Sequence, residues 1–566
     1  MSINHLGSRG LIAITAAGLL AAGLGACSSS GSSTPKASNS GSKATTLVME
    51  SSPETTITQD FNPFVSTGAP WGMGATGLIY EPLIQFDIAA PPKYYPWLAT
   101  HYAWGNAGKS VTFTIRQGVK WNDGSAMTPA DVAFTYNLVK KTPAINLAGL
   151  AITSVSTSGD TVTINFSSAE YLNLQQIAGV PIVPEAIWSK QSNPSTFADP
   201  HPVGTGPYVL KTFTSQGFTL TKNSSYWQAS MIGVPNVYFP VYTSNTGALT
   251  ALYSGKIDWT GNFIPGLQKQ FVAPSPAYHH FWEAPGSTNA LMPNLSKWPT
   301  NQLPVRQAIS LAVNRNLLAS EGEAGLENPV LNASGLTLPT FQAWAAPAAK
   351  FAVSGAASPA AAGSVLAKAG YKKDSSGFYA LHGKEVVVTL IAPSAYTDYA
   401  AVGTMVANEL KAAGINASFQ GISVNSWNAD MATGNFSLAE HRSNNGLTPY
   451  NLYDNWLNSA LNNGKANAGD YEGLKNAAID KALAQLAGAA TVAQQTAALG
   501  PIETYVAQNL PVIPVTTASE WFEYNSQNFV GWPTQTNPYE TGQPTGTNTG
   551  AGAGTDEVVI LHLKPR

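Results

Sequence analysis

Alternation of apolar and polar residues marks the first elements of the chain. Ser110-Val111-Thr112-Phe113-Thr114-Ile115-Arg116 and Thr161-Val162-Thr163-Ile164-Asn165-Phe166 carry Val, Phe and Ile at every second position. That is the period of a half-buried strand. Thr46 to Glu50 is a short strand of the same kind. Tyr208-Val209-Leu210 and Phe218 to Lys222 pair as a hairpin behind a Gly/Pro turn, and Ile257 to Trp259 returns to strand. Trp121-Asn122-Asp123-Gly124 supplies an Asp-Gly turn. Thr128-Pro129-Ala130-Asp131 opens a helix, with Thr as cap, Pro first and Asp third. Short helices are also predicted after Gly77, ending near Pro82, and over 246–254.

Helical spacing dominates the second half. Val305, Ile309, Ala312 and Val313 share one face of a helix predicted over 305–320. Val402, Met405, Val406 and Leu410 do the same over 402–413, where Gly414 closes the helix. A buried strand at 386–391 precedes that helix and a strand from Ile415 to Phe419 follows it, so the three form a parallel α/β unit. A further helix spans 491–509 and a short strand 512–515. Glu557 to Leu563 reads as a final strand. A β-rich front half, an α/β second half and a late returning strand describe two lobes joined by crossing strands, with a cleft between them.

The N-terminus has its own pattern. Arg9 precedes an apolar run from Leu11 to Gly23, and Leu24-Gly25-Ala26-Cys27 follows. A charged start, a short apolar stretch and a small-residue cleavage site make a secretory signal. Leu-Gly-Ala-Cys resembles a bacterial lipobox, which implies lipidation of Cys27 as the first residue of the mature chain. Ser28 to Ala44 is Ser/Gly-rich and reads as a flexible tether. The expectation is a protein anchored by lipid to the outer face of the bacterial cell membrane.

Length changes the picture next. A chain of 566 residues exceeds one core, which stops growing at roughly 250–300 residues. Net charge is −3 with 11% charged residues, so no basic face points to nucleic acid. Fourteen Trp and 22 Tyr offer apolar faces with polar handles, which suit a surface that grips a solute. The single cysteine allows no internal disulfide. Gly108-Lys109-Ser110 resembles the end of a phosphate-binding loop, but Ala103 stands where its first glycine belongs and a strand follows instead of a helix. The adjacent His279 and His280 lack the i, i+4 spacing of helical metal ligands. No catalytic or metal site, and no cofactor, is read from the sequence.

Several stretches together resemble the family 5 extracytoplasmic solute-binding proteins of ABC importers. They are Tyr80-Glu81-Pro82-Leu83; Trp97-Leu98-Ala99 with Trp104; the block Val111 to Gly124; Thr128 to Val132; Pro202-Val203-Gly204-Thr205-Gly206-Pro207-Tyr208; Tyr226-Trp227; Ala251 to Asp258; and Val305 to Arg315. The resemblance implies an α/β, two-lobed periplasmic-binding-protein-like fold (type II, with an extra subdomain) hinged by crossing strands. It divides the chain into a signal peptide (1–26), an anchored linker (27–44), lobe I (45–80, 201–290 and 520–566), a subdomain of lobe I (81–200) and lobe II (291–519). It implies a monomer that performs no catalysis and captures a peptide or peptide-like solute for a permease and its ATPase subunits.

Family position also implies the cleft residues: Trp71; Trp259, Asn262 and Phe263; Trp282; Trp427; and Arg442, Asn444, Asn445 and Tyr450. In peptide-binding relatives an aspartate in the last of these regions pairs with the ligand's α-ammonium. This chain has no Asp there before Asp454. An ammonium buried without a carboxylate is costly, so an oligosaccharide stands as the alternative ligand. Arg442 would suit a ligand carboxylate.

Overall fold

Seven strands form the front sheet, in the order His279–Phe281, Glu523–Asn525, Trp259–Thr260, Thr46–Glu50, Asn236–Pro240, Gly217–Lys222 and Tyr208–Thr214. The computed structural model describes residues 44–566 apart from 52, 54–55, 66–67, 90–92, 445, 465–467 and 545–555. The expected signal sequence, Cys27 and nearly all of the expected tether therefore lie outside the described residues. Among the described residues no helix is long and apolar enough to cross a membrane.

Thr46–Glu50 is central in the sheet and runs parallel to both neighbours. Tyr208–Thr214 and Gly217–Lys222 form the expected antiparallel hairpin. The turn before it explains its own sequence. A Cβ on Gly204 would come within 1.8 Å of the Ile79 carbonyl oxygen, and one on Gly206 within 2.4 Å of the Leu78 oxygen. Only glycine lets the two backbones approach this closely. Gly204→Ala is expected to destabilise the protein by about 2–3 kcal/mol through overpacking, as measured by urea denaturation.

The two alternating segments pair directly with each other. Ala99–Gly105, Ser110–Ile115, Thr161–Phe166 and Ile152–Ser158 form a separate antiparallel sheet in that order. The helix Pro129–Lys141 lies against it, begun as predicted at Thr128. The Thr128 backbone N–H donates to Asp131 Oδ2 at 2.9 Å.

The second half builds a five-stranded sheet in the order Asn416–Ile422, Val387–Pro393, Leu438–Arg442, Ala284–Pro293 and Ile513–Glu520. The helix Thr397–Ala412 connects the parallel pair, and Gly414 ends it at φ +84°. Successive side chains of each strand face opposite ways. Ala290 and Met292 therefore join one apolar cluster with Trp456 and Leu499, while Leu291 joins another with Ile309 and Val406.

Two passages of chain join the sheets. Residues 282–283 lead from His279–Phe281 into Ala284–Pro293, and residues 521–522 lead from Ile513–Glu520 into Glu523–Asn525. The two strands beside the passages pair antiparallel, with Ala284 opposite Glu520. This is the two-lobed arrangement with crossing strands at its hinge.

Two predicted elements differ. Residues 557–563 are not a strand: Asp556–His562 is a helix. Val558, Val559, Ile560 and Leu561 are all buried in the core of the front lobe, and a short continuous apolar run does not distinguish strand from buried helix. The strand that returns to the front sheet is Glu523–Asn525. The helix expected over 305–320 stops at Ala312. Asn314 interrupts it: its side chain accepts the Leu317 N–H at 3.2 Å and caps a new turn.

Candidate functional site

A cavity of 290 Å³ opens where both lobes and one hinge passage meet. The front lobe contributes Trp71, from the short helix Ala69–Gly72, and Asn262 and Phe263, just after the strand Trp259–Thr260. The rear lobe contributes Trp427 from the helix Val424–Thr433, and His441, Arg442, Ser443 and Asn444 where the strand Leu438–Arg442 ends. The hinge contributes Ser519 and Trp521.

Six of the residues singled out from the sequence line this cavity: Trp71, Asn262, Phe263, Trp427, Arg442 and Asn444. Three others have a different place. Trp259 is fully buried in the front core, where its Nε1 donates to the Gly542 carbonyl at 2.7 Å. Tyr450 is buried within the rear lobe and its hydroxyl donates to Asp454 Oδ1 at 3.1 Å. Trp282 sits in a hinge passage and packs against the front core; its backbone N–H donates to the Phe522 carbonyl at 3.0 Å. The facing passage presents Trp521 to the cavity instead, edge-on to Phe263 at 5.6 Å. Asn445 lies outside the described residues.

One wall is aromatic. His441 stacks on Trp427 with centroids 4.9 Å apart and planes 15° apart, and Tyr471 follows at 5.0 Å. His441 Nδ1 is 2.5 Å from the Arg442 carbonyl. A carbonyl only accepts, so this nitrogen carries the proton. Burial first, and then the neighbouring Arg442 charge, pull His441 down to about 4, which keeps it neutral at physiological pH. The Trp427 indole N–H is buried without a hydrogen-bond partner.

The opposite feature is a set of carboxyls. Glu327 and Asp398 line the cavity. Glu327 accepts from the Ser519 backbone N–H at 2.8 Å and from Asn289 Nδ2 at 2.9 Å. Burial pushes it up to about 8. Asp398, in the first turn of the helix Thr397–Ala412, is pushed up to about 6 by burial, and its Oδ1 has no partner. Glu323 and Glu440 have all four carboxylate oxygens buried without partners, and both are held well above the usual range by burial and by neighbouring acids. The guanidinium of Arg442 meets this group and reaches Glu520 Oε1 at 2.5 Å. In the front wall, Asn262 donates its backbone N–H to Glu523 Oε2 at 3.2 Å and its side-chain amide to Glu50 and Thr260.

Glu327, Asp398, Tyr399 and Trp521 were not singled out from the sequence. They converge from a loop, a helix start and a hinge passage, and each one's local sequence reads as ordinary loop or helix. The cavity thus holds carboxyls, Asp398 and Glu327, that come from outside the stretch after His441.

The family described as bacterial extracellular solute-binding proteins, family 5, middle, matches residues 93–464. The chain belongs to that family. Among curated relatives of this family 5 protein, the nickel-binding periplasmic protein of Escherichia coli K12 is 29% identical over 279 residues, covering 47% of this chain and 52% of the relative. Protein XP55 of Streptomyces lividans is 28% identical over 320 residues, 56% of each. The chain spans about half the length of the curated relatives it matches. In fold, it is similar to a periplasmic oligopeptide-binding protein of Thermotoga maritima with bound mannohexaose. The TM-score is 0.83 at 23% identity, over 92% of this chain and 99% of that one. The oligopeptide-binding protein AppA of Bacillus subtilis, in complex with a nonapeptide, gives a TM-score of 0.76 at 18% identity over 93% and 99%.

Proposed function

We propose that this family 5 protein is the substrate-binding component of an ABC importer. It captures peptides or peptide-like solutes in the interlobe cavity and delivers them to a permease with its ATPase subunits. It acts as a monomer held to the outer face of the cell membrane by lipid on Cys27, and it binds its ligand without transforming it. The observation that carries this reading is a cavity walled by both lobes across a hinge of only two chain passages. Such a cavity closes when the lobes rotate toward each other.

The cavity polarity favours a compact zwitterion. At 290 Å³ it lies at the small end of ligand pockets, which run to about 1,000 Å³. Asp398 suits an ammonium, Arg442 suits a carboxylate, and the Trp427–His441 stack covers an apolar middle. Relatives differ in what they are named for: one for nickel, another for oligopeptides. The alternative is an oligosaccharide, supported by the Trp71, Trp427 and Trp521 faces, which suit sugar rings.

Titration calorimetry of the purified chain with a peptide pool and with a cello- or xylo-oligosaccharide series separates the two. The peptide reading expects heat from short peptides only. Trp427→Ala is expected to weaken binding by about tenfold or more, near 1.4 kcal/mol. Small-angle scattering should show compaction at saturating ligand, and an unchanged radius would argue against closure. Turnover of a bound ligand by the purified protein would overturn the binding-only reading.

A further inference from the structure

Aromatic rings line the interlobe cavity from the front lobe, the hinge and the rear lobe alike. Two pairs of them form corners. Tyr396 and Tyr399, at the start of the helix Thr397–Ala412, have centroids 5.8 Å apart and planes at 85°. Asp398 lies between them in the chain and lines the same cavity. Phe263 of the front lobe and Trp521 of the hinge make the second corner, with planes at 70°. Trp427, backed by His441, supplies a broad face in the rear lobe. Tyr399, Trp427, Phe263 and Trp521 each keep between 4% and 8% of their surface open where they line this space.

Rings set at right angles present faces to a compact, rounded group from several sides. Each face attracts a cation through the ring quadrupole, most strongly where water is excluded. Hydrogen-bond acceptors are scarcer. Of the two carboxyls that line the cavity, Glu327 has both oxygens engaged, by the Ser519 N–H and the Asn289 amide. Asp398 remains as a counter-charge beside two rings. A primary ammonium brings three N–H donors, and each one buried without an acceptor is costly. One counter-charge among ring faces serves a cation that has no N–H groups better than one that has three.

We propose that the cationic end of the captured solute is a quaternary, N-alkylated ammonium, seated at the Tyr396–Tyr399 corner with Asp398 as its counter-charge. The proposal rests on the interlobe cavity being the solute site, and it names the chemistry of that solute. The solute is a betaine-like zwitterion or a peptide-like molecule whose amino end is fully alkylated. Ordinary peptides enter the same space and bind more weakly, because their ammonium protons find fewer acceptors there.

Titration calorimetry of the purified protein with two matched sets of compounds tests the proposal. The sets are glycine and glycylglycine, the N-trimethyl form of each, and the tert-butyl isostere of each, in which carbon replaces the charged nitrogen. In at least one set the trimethyl form is expected to bind about tenfold or more tighter than both the primary amine and the isostere. The isostere has the same shape without the charge, so their ratio reads the attraction between cation and rings. Tyr399→Leu should lower that ratio by about threefold or more, and Tyr399→Phe should keep most of it. A primary amine or an isostere that binds as tightly as the trimethyl form in both sets overturns the proposal and leaves solute capture standing. No heat from either set overturns it as well, and the peptide pool and the oligosaccharide series then decide whether capture stands without it. A ratio unchanged in Tyr399→Leu overturns the proposed seat.

Discussion

Between pH 5 and pH 8 the melting temperature of this protein is expected to fall by about 10 °C or more. The cause is a population of carboxyls that the fold buries without cations. Burial raises Glu50 and Glu81 to about 7, Asp398 and Asp454 to about 6, and Glu327 to about 8. Glu440, Glu523 and Glu540 are raised further still. Among the described residues only two ion pairs form, Lys93–Asp87 and Arg442–Glu520. A carboxyl raised in the folded state keeps its proton where the unfolded chain has already lost it. The resulting stabilisation is complete below the unfolded value, near 4, and is lost as pH rises through the folded values of 6 to 8. Each such group adds a slope of at most about 1.4 kcal/mol per pH unit in that window, and several act together. Thermal melts in buffers of constant ionic strength measure the effect. A melting temperature that is flat or rises from pH 5 to 8 would show that these carboxyls ionise freely in the folded chain.

The deepest of these pairs also shows what its sequence meant. Glu81 sits in a Tyr-Glu-Pro-Leu segment that resembles the family without displaying chemistry. In the fold its Oε1 accepts from Tyr226 at 3.0 Å and from Trp227 at 2.9 Å, and the Tyr226 hydroxyl also meets Glu557. Glu557 belongs to the helix that was expected to be a strand. The segment is a packing joint between the start of the chain and its end.

Local chemistry was legible where one stretch of residues determines the outcome. Thr128, Pro129 and Asp131 start a helix wherever it packs, and Gly204 and Gly206 mark a close backbone approach. The parallel unit from Val387 to Ile422 follows from two apolar strands around one amphipathic helix. What was not legible depends on convergence. Trp282 and Trp521 occupy matching hinge passages and differ in sequence context by nothing that assigns one to the core and the other to the cavity. Asp398 and Glu327 are 71 positions apart, and only the rear sheet brings them beside Arg442. Asn314 ended a helix that its apolar neighbours would have continued, because a short polar side chain beside the backbone outweighs propensity.

Replacing Arg442 with methionine is expected to destabilise the protein by about 3–5 kcal/mol, the usual penalty for leaving a buried charge without its partner. Glu520 is fully buried and is the last residue of its strand before the chain crosses to the front lobe. Its oxygen receives the Arg442 guanidinium at 2.5 Å. Removing that guanidinium takes its counter-charge away from a carboxylate held out of water. Replacing both partners, as Arg442→Met with Glu520→Met, removes the charge as well as its counter-charge and should recover most of the loss, since an apolar pair of similar volume is commonly as stable as a buried ion pair. Urea denaturation of the wild type, both single variants and the double variant completes the cycle. A coupling energy below about 0.5 kcal/mol, the scatter expected for independent sites, would mean that Arg442 serves other neighbours and that the hinge does not depend on this pair.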